Sequence, residues 1–387
     1  MYRHYFYRVI RSDSYELSRR STKANGVDTF EIIRPGLLTT VQDLGRIGYQ
    51  KYSVPTSGAM DRTALRAANL LLDNEEGFAG LEATAAGPTL RALLDLVVAV
   101  VGADMQPLVD GKPVECGTAI DIRGGQILEL QRARRGLRAY LAVAGGIDVP
   151  IMLGSRSTCL PAAFGGFQGR ALREGDRLPI GRVWRQPMAL RGRRLPPGWL
   201  EPIGDVLTVR VVLGLQADHF TPEGIRAFLS GSYRLTQQMD RMGARLQGAP
   251  IAHRSGADII SDSTPLGAVQ VAADGQPMIL LADRQTTGGY TKIAVVIQED
   301  IFRLGQATPG QVIRFCQISA PEAYAALRAH ERRFDALRRT WQSLPDKRDS
   351  YRLRLGTGSY CVGVEGGRGT YRVSLEGVER KSEDAEE

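Results

Sequence analysis

Three segments of this chain gather polar side chains and glycine at a density that ordinary turns do not need. The first runs Val41-Gln42-Asp43-Leu44-Gly45-Arg46 and continues through Val54-Pro55-Thr56-Ser57-Gly58-Ala59-Met60-Asp61. It reads as a strand end delivering Gln42, Asp43 and Arg46 to a rim, then a helix N-terminus whose free amides suit a carboxylate or phosphate. The Arg46 fork can grip an anion at two points, and Asp43 can orient a polar ligand. A structural alternative stays open, in which Asp43 pairs with Arg46 and Asp61 offsets the positive end of its own helix. The second segment, Gln238-Met239-Asp240-Arg241-Met242-Gly243, sets an Asp-Arg pair on a pocket floor or on a surface turn. The third passes Ile259-Ile260-Ser261-Asp262 and Gly267-Ala268-Val269-Gln270-Val271 and ends Leu281-Ala282-Asp283-Arg284-Gln285-Thr286-Thr287-Gly288-Gly289-Tyr290. There an apolar strand stops abruptly in donors and acceptors, and the glycine pair lets a ligand approach the backbone closely.

Familiar signatures of self-contained hydrolases are missing. The chain holds no GxxxxGK[ST] loop and no GxSxG elbow, and its four histidines (His4, His219, His253, His330) never pair at metal-ligand spacing. His253 reads as a lone general base or as a satisfied histidine. The four cysteines lie far apart with no CxxC spacing, as expected of free thiols in a reducing, cytoplasmic setting. The 387 residues carry a net charge of +8, but the arginines are scattered rather than massed with aromatics, which argues against a nucleic-acid surface. The longest apolar run, near Leu96–Val101, is strand-sized, so no membrane segment is expected.

The elements that would position these residues are mainly strands. Short Val/Ile/Leu runs recur at 97–101, 127–130, 140–144, 206–213, 278–281, 293–297 and 312–315, cut by glycine and proline. Asp110-Gly111 and Asp274-Gly275 read as tight hairpin turns. Helices are predicted over 60–73 with Ser57 as its cap, from Thr221-Pro222 to Gly231, and from Pro321 to about Ser343. Leu327, Phe334 and Trp341 recur every seven residues on the last of these, a stripe for docking on the body or on a partner chain. The proline- and arginine-rich stretch near 186–199 reads as a linker between halves at 29–185 and 200–318. Residues 1–28 read as a disordered extension or a mis-assigned start, and 319–387 as a helical and hairpin tail with a disordered end.

Taken in order, Val41–Arg46, Val54–Asp61, Tyr140-Leu141-Ala142-Val143-Ala144-Gly145-Gly146-Ile147, Leu153-Gly154-Ser155-Arg156-Ser157-Thr158, Asp240–Gly243 and Asp283–Tyr290 resemble the biotin-dependent carboxyltransferase-like family. That family includes KipA-like proteins, the C component of 5-oxoprolinase and the carboxyltransferase part of urea carboxylases. The resemblance spans roughly residues 29–318. It implies two cyclophilin-like β-barrel subdomains, and 5-oxoprolinase subunits B and A as partners. It also implies ATP-driven opening of the 5-oxoproline lactam, with ATP and Mg²⁺ bound somewhere in the complex. Carboxyl transfer from carboxybiotin and KipA-like regulatory binding are the alternatives. Carried onto this chain, it places Asp43, Arg46, Asp61, Arg241, Asp283 and Arg284 at the reacting groups. Gln42, Ser57, Gly58, Gln270, Gln285, Thr287, Gly288, Gly289 and Tyr290 would contact a small polar amide. Two departures stand out: no lysine sits in a Met-Lys biotin-attachment context, and Gln237-Gln238-Met239 replaces a serine expected before the Asp-Arg-Met-Gly run.

Overall fold

Period-two alternation writes most of this chain as strands, and 206–213 shows it most plainly, with Leu207, Val209 and Val211 buried between more exposed neighbours. The computed structural model describes residues 28–181, 190, 192–199, 204–214, 216–342, 349–355, 358–367 and 370–379, with side chains through Trp341. Positions 1–27, most of the link between the halves (182–189, 191, 200–203) and the charged end at 380–387 lie outside the described residues.

The first half holds β1 (Asp28–Arg34), β2 (Leu38–Gln42), α1 (Arg62–Leu71), β3 (Gly80–Thr84), β4 (Thr89–Ala92), β5 (Leu96–Asp104), β6 (Leu108–Val109), β7 (Lys112–Pro113), β8 (Ala119–Ile122), β9 (Ile127–Glu129), β10 (Arg135–Val143) and β11 (Arg177–Pro179). A six-stranded sheet in the order β11-β1-β4-β9-β6-β7 and a five-stranded sheet in the order β2-β3-β10-β5-β8 share one apolar core, with Phe30, Leu81, Val98 and Leu141 at its centre. Residues 192–199 of the expected linker run along the end of β8, where Ala119 N donates to Arg193 O and Leu195 N to Gly117 O.

The second half holds β12 (Val206–Leu213), α2 (Pro222–Ser230), β13 (Tyr233–Met239), β14 (Gly243–Gln247), β15 (Asp258–Ser263), β16 (Ala268–Val271), β17 (Pro277–Leu280), β18 (Thr287–Val296), α3 (Gln298–Leu304) and β19 (Val312–Gln317). Its strands follow β12-β19-β13-β14-β17-β16-β18, and β18 pairs back onto β12, closing a barrel with β15 paired alongside β18. Full closure leaves few free edges. Met60, from the loop ahead of α1, is buried in this second core and so ties the first half to it.

The chain divides into two units, one through Glu331 and one from Arg332. α4 (Ala320–Gln342) crosses that boundary, and the second unit continues as an antiparallel meander of β20 (Asp349–Leu355), β21 (Gly358–Gly367) and β22 (Thr370–Glu379).

Three local expectations need correction. α1 begins at Arg62, and its cap is Asp61, whose Oδ1 accepts from Ala64 N at 2.9 Å; Ser57 does not cap it. Ser57 instead sits at φ +52°, bending the chain before the helix. Asp110-Gly111 is a two-residue turn with both φ positive, but Asp274-Gly275 lies in a longer loop between Val271 and Pro277. The apolar run at 293–297 is followed by α3, whose seven residues are too few to leave a helical period in the sequence.

Candidate functional site

Asp43 turned out to be a fastener. Its carboxylate accepts from Gly45 N at 2.7 Å, Ser155 Oγ at 2.7 Å, Arg156 N at 2.6 Å and Ser157 Oγ, pinning the 154–158 loop to the end of β2. Arg46 does not pair with it. Fully buried, Arg46 donates from Nη2 to Ser157 O at 2.5 Å and stacks on the Phe164 ring at 4.5 Å. Its Nη1 has no partner, and burial holds the guanidinium below its ordinary pKa. Gln42 is likewise taken by Thr40 and Thr158, with its Oε1 unpaired.

The 57–61 loop then crosses to the second half. Ser57 N donates to Ala282 O at 3.1 Å, while the buried Ser57 Oγ is left without a partner. Gly58 lies at φ +88°, and a Cβ there would stand 2.7 Å from Gly45 N, so only glycine lets these two loops touch.

Arg241 is the knot of the arrangement. It projects from the turn between β13 and β14, where Asp240 accepts from Met242 N and Gly243 N. Nε and Nη2 donate to the two oxygens of Asp283 at 2.8 and 3.2 Å, Nη1 reaches Glu82 of β3, and Nη2 reaches Gly58 O at 2.7 Å. All three side chains are buried. Burial alone would discharge them, but each charge has its opposite at contact, so Arg241 is held above its ordinary pKa and Glu82 below its own. Glu82 Oε2 also accepts from Tyr140 Oη and Met60 N. Asp61 lies next to this network. Its Oδ2 accepts from Gln306 Nε2 at 2.7 Å, and burial pushes its pKa up to about 6 against that hydrogen bond.

Arg138, Arg241 and Asp283 line a cavity of about 600 Å³ at the junction of the halves, with Leu38, Thr84, Gln237 and Met239 among its walls. Arg284, next in the chain to Asp283, is not part of that lining. Its Nε donates to Thr264 O and its Nη1 to Leu281 O, and no carboxylate pairs with it among the described residues. Burial, then repulsion from Arg62, lowers its pKa to about 10. Arg62, the first residue of α1, likewise has no ion pair among the described residues. Arg62 is close enough to Arg284 to lower its pKa, while the field of Asp43 acts on both Arg46 and Arg62 without an ion pair among the described residues.

The other expected ligand contacts gather on the second barrel. Gln270 of β16 lies opposite Lys292 of β18, Gln285 Nε2 approaches Gln270 Oε1 at 3.5 Å, and Gly288 packs beside them. Gly289 lies against Ile259 O, while Thr287 and Tyr290 stand exposed at the β15 edge, opposite Ser263 and Asp258. Thr264 joins the two clusters, receiving Arg284 on its carbonyl and donating to Gln285 O. His253 is elsewhere, stacked on Phe220 and bonded to Thr291 Oγ1.

Sequence reasoning missed Glu82, Arg138, Gln306, Arg62 and Lys292. Glu82 and Lys292 carried a usable signal, since each is the lone charge of its strand and borders an apolar stretch. Among the described residues no group of three or more His, Cys, Asp or Glu could hold a metal ion, and the carboxylates of Asp43, Asp61, Glu82 and Asp283 are already engaged by protein donors. These side chains do not fit a Mg²⁺ site.

A family profile described as a carboxyltransferase domain, subdomains A and B, matches residues 52–317. The chain is 40% identical to the C component of 5-oxoprolinase from Escherichia coli over 308 residues, covering 79% of this chain and 97% of that protein. It is 34% identical to the urea amidolyase of Lachancea kluyveri over 311 residues, which is 75% of this chain but 17% of that one. Among solved structures, TTHA0988 superposes with a TM-score of 0.67 at 36% identity, covering 75% of this chain and 55% of that one. The Kluyveromyces lactis urea amidolyase superposes with a TM-score of 0.73 at 28% identity, over 93% of this chain and 24% of that one. The chain therefore spans nearly the whole Escherichia coli protein, about half of TTHA0988 and a minor part of the fungal enzymes.

Proposed function

This chain belongs to the carboxyltransferase-domain family, and from that premise we propose that it is the C component of an ATP-dependent 5-oxoprolinase, working with the A and B components. The observation that carries the reading is the buried Glu82–Arg241–Asp283 network, built from both halves with Arg241 and Asp283 at motif positions, beside the buried Arg46 with its unpartnered Nη1.

A five-membered lactam is an unactivated amide. Transfer of the ATP γ-phosphoryl group to its carbonyl oxygen makes the carbon a better electrophile; one water adds, the C–N bond opens with the nitrogen taking a proton to leave an acyl phosphate, and a second water displaces phosphate to give glutamate. Negative charge grows on the lactam oxygen and the phosphoryl group as they approach. Preorganised guanidinium groups in a site shielded from water stabilise such charge more than water does. Arg241 and Arg138, whose Nε lies 3.9 Å from Glu82, together offset the Glu82 and Asp283 carboxylates, so the arginines beside them keep a positive character. The Mg²⁺ that accompanies ATP belongs, in this reading, to the assembly rather than to these carboxylates.

The test is the reconstituted three-component mixture with 5-oxoproline and ATP. Arg284→Met should lower kcat/KM by about 10² or more, the range for removal of one charge-stabilising donor, with the fold intact. A wild-type mixture that releases no glutamate would end the reading. The likeness to fungal urea amidolyases favours carboxyl transfer as the second reading, which predicts a biotin-bearing partner detected with avidin.

A further inference from the structure

Lys292 is the most buried lysine of the described chain, 1% exposed, and beyond one ion pair its Nζ reaches no acceptor in good hydrogen-bond geometry. Its nearest anion is Asp262 Oδ2 at 3.3 Å, whose side chain is 44% exposed. Directly across the ladder, Gln270 Nε2 is a second buried donor with no acceptor. A register shift puts these two side by side: Val269 pairs with Ala294, but Gln270 pairs with Lys292, leaving Ile293 as the extra residue of a bulge. Bulges re-aim side chains, and this one sets two donors together away from the apolar barrel core. Position 288 has no side chain to cover the amide; a Cβ there would lie 2.7 Å from Gln270 Nε2.

A purely structural lysine–aspartate pair does not account for this. Burying an ammonium group is tolerated when its hydrogen bonds are satisfied. Here the partner carboxylate leans out toward solvent and the neighbouring amide is unsatisfied as well. We propose that Lys292 and Gln270 form a carboxylate-recognition subsite, with Asp262 as the resident counter-ion that an incoming substrate carboxylate displaces. Resting on the 5-oxoprolinase reading, the subsite selects an amide that carries a carboxylate over one that does not, such as urea. Gln285, 3.5 Å from Gln270, and the Thr264–Arg284 contact connect the subsite to Arg284, so carboxylate and amide would be held at neighbouring points.

The experiment compares wild type, Lys292→Met and Asp262→Asn in two assays: titration of the full chain with L-5-oxoproline or 2-pyrrolidinone, its carboxylate-free analogue, and turnover in the reconstituted complex. Lys292→Met should weaken 5-oxoproline binding and raise its KM about 10-fold or more, leave kcat within about 2-fold, and leave 2-pyrrolidinone binding unchanged. Asp262→Asn, an exposed change that spares the core, should tighten 5-oxoproline binding or leave it unaltered. Equal loss of both ligands, no change in either, or weaker 5-oxoproline binding in Asp262→Asn would overturn the subsite. If the wild-type complex turns over 5-oxoproline but Lys292→Met matches it in both assays, the subsite falls and the function stands. If the complex is inactive but Lys292 still separates the two ligands, the function falls and the subsite stands.

Discussion

Two buried carboxylates on one guanidinium make Arg241 the side chain this fold can least lose. Arg241→Met would leave Asp283 without its cation and Glu82 with only Arg138, 3.9 Å away, and breaking a buried pair in this way costs about 3–5 kcal/mol. Urea unfolding should show a loss of that size, partly recovered when Asp283→Asn is added, because the second change removes one stranded charge. Asp61 gives a pH signature. Its folded pKa, about 6, is raised above the ordinary 3.8. The stability it contributes is therefore complete below pH ~4 and disappears as pH rises through about 6, since above that the folded state must hold a buried charge. The shift corresponds to roughly 3 kcal/mol at 1.36 kcal/mol per unit. Wild-type stability relative to Asp61→Asn should thus fall by that order between pH 4 and 7, and a flat difference would contradict the buried charge. Asp43 and Arg46 were legible as a pair of motif residues, but their geometry was not. Adjacency in sequence suggested they bond each other, whereas the 154–158 loop, more than a hundred residues away, takes both.

Strands were the most readable elements, because a Val/Ile/Leu run bounded by glycine has few other ways to bury itself. Val206–Leu213 matches the sequence expectation to the residue. Helix ends were less readable: Ser57 has the side chain of a cap, but the Asp61 carboxylate lies nearer the first turn and wins. The β18 bulge left no trace at all, since a one-residue slip depends on how β16 and β12 compete for the same strand. The two glycines of the site make the distinction testable. At Gly58, positive φ and backbone on both sides leave no room, so Gly58→Ala should cost about 2 kcal/mol or more through strain and displaced loops. At Gly288 the obstructing atom is the end of the flexible Gln270 side chain. Gly288→Ala should leave stability within about 1 kcal/mol, as for ordinary surface changes, yet raise the KM for 5-oxoproline by covering the Gln270 amide. Equal destabilisation by the two alanines would show that both glycines serve backbone geometry alone.

On the scale of the first unit, each half has its own apolar core, yet a few side chains commit each half to the other. Arg241 reaches Glu82 and Gly58 from the second barrel. Arg138 Nη1 returns the contact to Gly305 O at 2.6 Å. Gln306 spends its whole amide across the boundary: Oε1 accepts from Leu137 N and Arg138 N, and Nε2 donates to Asp61 Oδ2 and Arg138 O. None of the three was visible as a pair in sequence, because partners more than 150 residues apart leave no spacing to read. Polar contacts fix geometry here more than they add attraction, since each exchanges a bond to water for a bond to protein. Removing one leaves several groups buried and unsatisfied, at about 1–3 kcal/mol each. Gln306→Ala strands two amides, a carbonyl and the Asp61 carboxylate at once, so it should weaken the junction far more than either core. Calorimetry then distinguishes two outcomes. Wild type should unfold as one transition through this unit, and Gln306→Ala should broaden or split it as the halves release separately, with activity lost below the first step because Arg241 and Asp283 no longer face the Glu82 side of the cavity. A single sharp transition, merely shifted, would mean that the cores and Met60 carry the coupling without the polar bridge.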